Sequence, residues 1–343
     1  MTDARILARA LADPGSVVGL DADGWTALLA MARAEQLIGT LALRVAGLAL
    51  PAGVKAILAD ARAAAEQGRR AALWEAEMAR RALAAADCPV ILLKGTAFVA
   101  AGLSAGQGRS IGDLDILVPR ASIDAVEVAL LAAGWEWVKP DPYDDAYYRR
   151  WMHELPPLIH RDRDRMIDVH HTILPLTARI TPDAGALIDG AWALGNGLSV
   201  LTPANMVVHA AAHLLADGDL AGGLRNLWDI DRLCRQFCDE DPDFYLTVME
   251  AGHQHGLSNE VGRSLRLANQ IFGTPVKAYH SPITIEWGEQ PGDRWFRHRI
   301  TARDGWGRPT RPVTRLAFYV RSHWLRMPPA MLARHLWTKW RKV

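Results

Sequence analysis

The spacing of apolar residues predicts helical ends around a central part with short strands. Residues 1–86 fit three or four helices, and the last is long, from about 54 to 86, with apolar residues three and four apart. It ends before Cys88-Pro89, because proline disfavours helical backbone in the residue before it. Beyond Pro175 the same spacing predicts helices over 203–216, 224–237, 243–255 and 258–272.

Short apolar or alternating runs in the central part are typical of strands. They predict strands over 90–93, 113–118, 134–138, 155–160 and 166–171, and the last two would form a hairpin across Arg-Asp-Arg-Asp-Arg. A helix over 121–133, capped by Ser122, would follow the second strand. The pattern therefore predicts an α/β (α+β) core with a small mixed sheet, flanked by N-terminal and C-terminal helical subdomains.

Changes in composition along the chain suggest four parts. They are a helical subdomain (1–87), the α/β core (88–175), a second helical subdomain (176–284) and a basic, Trp-rich segment (285–343). The last segment contains six tryptophans and several prolines, so we expect it to be irregular with one final helix over 330–341.

Charge is unevenly distributed, although the net charge of the 343 residues is only +1. In 293–343, 13 lysines and arginines accompany two acids, giving +11 there and about −10 elsewhere. The near-neutral total does not favour nucleic acid as a partner. We expect the basic segment to pack on the acidic body, and the alternative is a surface for phosphate or lipid headgroups.

Two further features concern the compartment. The three cysteines form no disulfide framework, which suits a reducing environment. The first fifteen residues lack the apolar core of a signal peptide, and no apolar run approaches the ~20 residues of a membrane span. The sequence therefore predicts a cytoplasmic protein with no transmembrane segment.

Two aspartates stand at the start of a predicted strand, in the run Gly-Asp-Leu-Asp-Ile-Leu-Val. Residues i and i+2 of a strand share a face, so Asp113 and Asp115 would lie side by side. Like charges this close repel, so a cation is expected between them. Such a pair suits a two-metal phosphoryl-transfer site with Mg²⁺ or Mn²⁺, and two solvated acids at a strand start are the alternative.

Residues on either side of the pair strengthen the catalytic interpretation. Asp168 lies in the middle of an apolar strand, where a lone acid needs a partner. Lys94, Gly95 and Thr96 follow a strand directly, where backbone N–H groups can approach phosphate oxygens and the lysine adds a positive charge.

Together these motifs resemble the polymerase-beta-type nucleotidyltransferase superfamily. The shared pattern is a strand followed by Lys-Gly, then Arg-x-x-x-Asp-x-Asp, then a strand of the form Ile-Asp-x-His. Within the superfamily the chain is similar to a branch of uncharacterised bacterial nucleotidyltransferases with helical flanks. The likeness runs from about 34 to 237 and includes the histidine-containing helical stretch 209–233.

The resemblance implies a set of roles. Asp113 and Asp115 would bind metal, with Asp168 as the third carboxylate. The residues expected to bind the nucleotide are Lys94, Gly95, Thr96, Arg109 and Ser110. The threonine is a departure, because the superfamily usually has glycine-serine. The implied substrate is a nucleoside triphosphate such as ATP, with pyrophosphate released and an acceptor (small molecule, peptide or protein) that the sequence does not identify.

Other polar residues near these motifs have alternative assignments. His170 shares a strand face with Asp168 and could orient a carboxylate, and Arg225 could reach the site or pair with Asp229 four residues on. His209 and His213 have a zinc-compatible spacing, but packed or capping histidines are the favoured interpretation. Two other functions stay open: a metal-dependent hydrolase using the same aspartates, and a non-catalytic nucleotide-binding or regulatory protein.

Overall fold

The computed structural model describes residues 3–275, 288–329, 331–333 and 337. Within these ranges, one mixed sheet has the strand order β3-β4-β5-β2-β1-β7-β6. Its strands are β1 (Ile91–Leu92), β2 (Asp113–Leu117), β3 (Trp135–Trp137), β4 (Leu158–His160), β5 (Met166–His170), β6 (Trp192–Ala193) and β7 (Ser199–Val200). The β2–β5 and β1–β7 pairs are parallel, and the other pairs are antiparallel.

Helices surround this sheet. They are α1 (Arg5–Ala12), α2 (Ala22–Ala34), α3 (Ile38–Arg44), α4 (Ala52–Ala82), α5 (Lys94–Ala100), α6 (Ile123–Ala132), α7 (Pro142–Trp151), α8 (Ala184–Asp189), α9 (Pro203–Ala212), α10 (Gly223–Glu240), α11 (Phe244–Gln254), α12 (Ser258–Phe272), α13 (Asp293–Ile300) and α14 (Pro312–Arg326). A π-helical turn, His213–Asp217, extends α9. Buried apolar side chains from α1 to α14 form one continuous cluster around the sheet.

The central strands form where the sequence is most apolar. In β2, Leu114 and Ile116 are buried, and in β5 so are Ile167 and Val169. These residues hold the inner layer of the sheet against the helices, and the alternate positions carry the polar side chains to the opposite face. The predicted α/β core with a small mixed sheet and helical flanks is therefore confirmed.

Several predicted elements are confirmed with small shifts of their ends. The long helix is α4, which continues as a 3₁₀ turn over Leu83–Ala86. The predicted hairpin is the antiparallel pair of β4 and β5. The four helices predicted after Pro175 correspond to α9 with its π turn, α10, α11 and α12.

Other predictions are wrong or incomplete. Ser122 precedes α6, but its side chain makes no capping hydrogen bond, since a 3₁₀ turn over Arg120–Ser122 already leads into the helix. The strands β6 and β7 and the helix α7 have no predicted counterpart. The segment 285–343 is not irregular throughout, because it forms α13 and α14; the helix predicted over 330–341 lies mainly outside the described residues.

The described part of the basic C-terminal segment packs on the rest of the chain through ion pairs. Arg303 Nε lies 2.7 Å from Glu35 Oε1, whose side chain is 2% exposed, and Arg311 Nη2 lies 3.1 Å from Asp3 Oδ2. Asp293, at the start of α13, is fully buried and accepts a bond of 2.8 Å from Arg266 Nε. Arg303 and Arg311 thus pair with acids of the body as expected, whereas Trp295 and Trp306 are exposed and do not pack on it.

No helix in the described ranges is both long enough and apolar enough to cross a membrane.

Candidate functional site

Three aspartates meet where β2 and β5 run side by side. Asp115 and Asp168 are direct partners in the parallel register, and Asp113 lies two residues before Asp115 on the same face. Each offers a carboxylate oxygen, and these oxygens all lie within 4.8 Å of one another. Asp113 is exposed, Asp115 is buried and Asp168 is half-buried, so the cluster extends from solvent into the edge of the core.

The buried aspartate is held by a lysine and a histidine. Lys94 Nζ donates to Asp115 Oδ1 at 2.6 Å, and His170 Nε2 lies 3.0 Å from the same oxygen. The backbone N–H of Leu93 donates to the Asp115 carbonyl at 3.0 Å, which fixes β1 beside β2 at this point. The cation expected next to the aspartate pair is thus present in the chain itself, as Lys94.

These contacts set the protonation states of the carboxylates. Burial alone would raise the pKa of Asp115, but the positive charge of Lys94 and the hydrogen bond from His170 outweigh it, so the pKa lies well below its usual range. Burial, followed by the charge of Asp115, raises the pKa of Asp168 to about 7. Two adjacent acids therefore differ in charge state, and Asp168 is poised to exchange a proton near neutral pH.

The donor set of the cluster fits a hard divalent cation. Asp168 Oδ1 is buried and has no hydrogen-bond partner among the described residues. A buried carboxylate oxygen without a partner is unusual, and a cation would satisfy it. Three carboxylates and no nitrogen or sulfur ligand match the preference of Mg²⁺ and Mn²⁺ for oxygen.

A basic pocket adjoins the carboxylates. Lys94 lines it, so this side chain connects the pocket to Asp115. The other polar lining residues include Arg109, Asp229, Arg225, Asn226, His209 and His213. The three cations among the lining residues, one of which (Arg109) is paired with Asp229, favour an anionic ligand such as a phosphate chain.

The cations of the pocket are not equivalent. Arg109 is buried and donates to Asp229, and its guanidinium carbon lies 5.3 Å from the centre of the Phe98 ring. Arg225 donates to Gln36 rather than to Asp229, so the alternative pairing of Arg225 with Asp229 is wrong. Burial and the nearby charge of Arg109 lower the pKa of Arg225 to about 10, which still leaves it cationic at neutral pH.

The turn between β1 and α5 explains why glycine follows the lysine. Lys94 has a φ of 49°, in the left-handed region that costs a non-glycine residue roughly 1–2 kcal/mol. A Cβ on Gly95 would lie 2.6 Å from Arg109 Nε, so only glycine lets the arginine pack there. The Thr96 hydroxyl is buried with no hydrogen-bond partner in the described part of the chain. Ser110, beyond Arg109, is exposed.

His209 and His213 also line the pocket. His209 is buried at the end of α9, and His213 begins the π-helical turn. Loss of solvation and the charge of Lys94 hold the pKa of His209 well below its usual range, so this ring is neutral at physiological pH. His213 is exposed.

The sequence interpretation did not include two side chains beside His170. His153 and Glu154 precede β4, and Glu154 forms an isolated bridge with His170. Glu154 Oε2 lies 3.5 Å from His170 Nδ1, and burial raises the pKa of Glu154. The sequence shows a His-Glu pair directly before an apolar run. That local pattern does not indicate that the pair lies near His170, because this proximity depends on a long-range backbone pairing.

A comparison with protein families identifies the chain. A family described as uncharacterised nucleotidyltransferase matches residues 21–273, which is most of the chain and includes every residue of the carboxylate cluster. No curated protein and no solved structure matches the chain. The match over this length shows that the chain belongs to the family of uncharacterised nucleotidyltransferases.

Proposed function

We propose that the protein is a divalent-metal-dependent nucleotidyltransferase of the polymerase-beta type, in the bacterial branch with helical flanks. It moves a nucleoside monophosphate from a nucleoside triphosphate, with ATP as the first candidate, to an acceptor hydroxyl or phosphate, and it releases pyrophosphate. The acceptor would be a small molecule, a peptide or a protein. The three cysteines, Cys88, Cys234 and Cys238, form no disulfide, which supports a reducing compartment such as the cytoplasm.

The register of β2 and β5 is the observation that carries this proposal. Asp115 pairs directly with Asp168, although the two residues are far apart in the sequence. Together with Asp113 they form one group of three carboxylates. An isolated Asp-x-Asp would be two acids at a strand start, whereas three acids with an unpartnered oxygen have the donor set that a cation site needs.

Asp113, Asp115 and Asp168 would hold Mg²⁺ or Mn²⁺. The cation supplies neutralisation of phosphate charge, which contributes most of the catalysis in this kind of transfer. Asp168 would also help to take the proton of the acceptor hydroxyl. His170 would hold Asp115 in orientation through the 3.0 Å contact.

The basic pocket would bind the triphosphate. Lys94 and Arg225 would face the phosphates directly, and Arg109, held by Asp229, would contribute its charge from the pocket wall. Gly95 and Thr96 form the turn next to Lys94, and exposed Ser110 could reach a phosphate or the sugar. Positioning by fixed cations is what phosphoryl-type transfer mainly requires.

The test is transfer of label from the α-phosphate. The protein is incubated with each α-labelled triphosphate, Mg²⁺ or Mn²⁺, and fractionated cell extract, and label in a product and pyrophosphate release are measured together. We expect label at the α-phosphate to enter a product, and label at the γ-phosphate, in a parallel incubation, not to enter it. We also expect Asp113→Asn to lose this transfer, while Asp162→Asn, at an exposed turn, keeps it.

Three results would contradict the proposal. Release of free nucleoside monophosphate without a labelled product would indicate a hydrolase. Metal-independent binding of the triphosphate without turnover in any fraction would indicate a binding protein. Equal transfer by wild type and Asp113→Asn would show that the carboxylates do not carry the reaction.

A further inference from the structure

A second group of ligating side chains lies on the other side of His170 from Asp115. It consists of His153, Glu154 and His170, and one potential ligand atom from each lies within 4.8 Å of the other two. Glu154 Oε2 is 3.5 Å from His170 Nδ1 and 3.8 Å from His153 Nε2. The His153 and His170 rings have centroids 5.1 Å apart.

The backbone holds this group in place. The N–H of Leu155 donates to the carbonyl of Val169 at 2.9 Å, and the N–H of His171 donates to the carbonyl of His153 at 2.8 Å. These bonds flank Glu154 on both sides and attach its segment to the end of β5. The three side chains are therefore brought together by the sheet and not by a loose loop.

The group has buried nitrogens with nothing to bind. The side chain of His170 is 3% exposed, and its Nδ1 has no hydrogen-bond partner in the described ranges. Nδ1 of His153, whose side chain is 10% exposed, is also buried without a partner, while Nε2 is the nitrogen of that ring that faces Glu154. Buried polar atoms are nearly always satisfied, so the unsatisfied Nδ1 of His170 next to the Glu154 carboxylate indicates a missing ligand.

The spacing suits a metal better than hydrogen bonds. At 3.5 and 3.8 Å the nitrogen–oxygen contacts are too long for good hydrogen bonds. Ligands about 2.1 Å from a tetrahedral zinc ion lie roughly 3.4 Å from one another. A small contraction of the group would therefore place all three atoms at bonding distance from one cation.

We propose that His153, Glu154 and His170 bind a divalent transition metal, with Zn²⁺ the best match, at a site separate from the three aspartates. Two imidazoles and one carboxylate are a donor set typical of zinc with a remaining position for water. The neighbouring all-oxygen cluster suits Mg²⁺ or Mn²⁺ instead. The two groups thus differ in the class of cation that each prefers.

A metal at this site would also affect Asp115. Binding through Nδ1 leaves Nε2 of His170 as the protonated nitrogen, which donates to Asp115 Oδ1 at 3.0 Å. A metal-bound histidine whose other nitrogen bonds a carboxylate is a frequent arrangement around zinc. His170 is in this role a positioning residue that fixes the orientation of Asp115.

Zinc binding to the full-length protein tests the site, and it needs no acceptor and no turnover. After removal of bound metal, the affinity for Zn²⁺ is measured by competition with a chromophoric chelator. We expect one Zn²⁺ per chain, and at least a tenfold loss of affinity in His153→Asn and in Glu154→Gln. His253→Asn, which removes an exposed histidine from α11, is the matched control and should bind as wild type does.

Two further measurements separate this site from the aspartates and from misfolding. Asp113→Asn should retain zinc affinity, and Co²⁺ bound to wild type should show the visible absorption of a low-coordinate nitrogen–oxygen site. The proposal is overturned if Glu154→Gln and His153→Asn bind zinc like wild type, or if only Asp113→Asn loses it. If both variants at the site fail to fold, a wild-type Co²⁺ spectrum of a six-coordinate, all-oxygen site would overturn it equally.

Discussion

The carboxyl group of Asp168 is buried beside two other acids, Asp115 and Glu154, and its pKa is raised to about 7. In an unfolded chain the same group has its ordinary value of 3.8. In the folded chain without a divalent cation, ionisation of Asp168 is therefore unfavourable. This should lower the free energy of unfolding over a defined range of pH. Asp168→Asn removes the charge while nearly preserving the shape.

The sign and size of the effect follow from the two pKa values. Below about pH 4 both states hold the proton, and Asp168 contributes no penalty. As the pH rises to about 7, the unfolded state ionises while the folded state keeps its proton, so stability falls. Above about pH 7 the loss is complete, and at ~1.4 kcal/mol per pH unit its upper limit is about 4 kcal/mol.

Urea unfolding with a chelator present measures this penalty. We expect Asp168→Asn to exceed wild type in free energy of unfolding by about 1–4 kcal/mol at about pH 8, and to match it at about pH 3. Adding Mg²⁺ at the higher pH should stabilise wild type more than the variant, because the cation binds the ionised carboxylate. Asp162→Asn, at an exposed position, corrects for the general effect of removing one negative charge.

A difference between wild type and Asp168→Asn that does not change with pH would refute the reasoning. So would a variant less stable than wild type at the higher pH, since that would mean the carboxylate is stabilised by ionised contacts rather than strained by them. The difference between the two proteins cancels the titrating groups that do not interact with Asp168. Asp115 and Glu154 do interact with it, so the measured difference belongs to these coupled acids together.

Two further predictions concern buried ion pairs. Asp115→Asn should lower the free energy of unfolding by about 2 kcal/mol, because it leaves Lys94 without its carboxylate. Asp113→Asn should leave the free energy of unfolding nearly unchanged. Both variants should lose nucleotidyl transfer. Arg303→Gln should destabilise the protein by about 2–3 kcal/mol in thermal or urea unfolding, because Glu35 is 2% exposed and would lose its partner.

Each of these two predictions has a result that would contradict it. The loss of stability expected for Asp115→Asn is smaller than for a fully buried ion pair, because the Lys94 side chain is 28% exposed. An unchanged melting temperature of this variant would show that the pair of Lys94 and Asp115 contributes nothing to stability. For the C-terminal segment the control is Arg308→Gln, which removes an exposed arginine and should stay within about 0.5 kcal/mol of wild type. Equal stability of the two arginine variants would show that the segment does not depend on its pairing with Glu35.

The sequence predicts the central strands because their residues carry a strong local pattern. β2 and β5 combine buried apolar side chains with polar residues at alternate positions, and this pattern alone places Asp113, Asp115 and His170 on defined faces. In contrast, β6 and β7 have two residues each, which is too short for any period to be recognised. They exist because β7 adds to the edge of β1, a contact that the local sequence does not encode.

Long-range pairing also limits how far the site can be predicted. The types of residue at 94, 109, 113, 115 and 168 indicate phosphate and metal chemistry, but not which of them contact each other. Arg109 was assigned to the triphosphate, and its closest partner is Asp229, 120 residues away. His153 and Glu154 are outside every predicted strand, and only the bridge between Glu154 and His170 brings them to the site.

The internal pairing of Asp115 gives the three aspartates different roles in the folded chain. Asp113 and Asp115 repel each other, and the sequence therefore required a positive charge near them. Lys94 provides that charge at 2.6 Å and His170 adds a second contact, so Asp115 is compensated without any cation from solution. Asp168 has an oxygen without a partner in the described residues, and Asp113 is exposed. The carboxylates that the chain leaves uncompensated are therefore those of Asp113 and Asp168, and a divalent cation would bind on this side of the cluster.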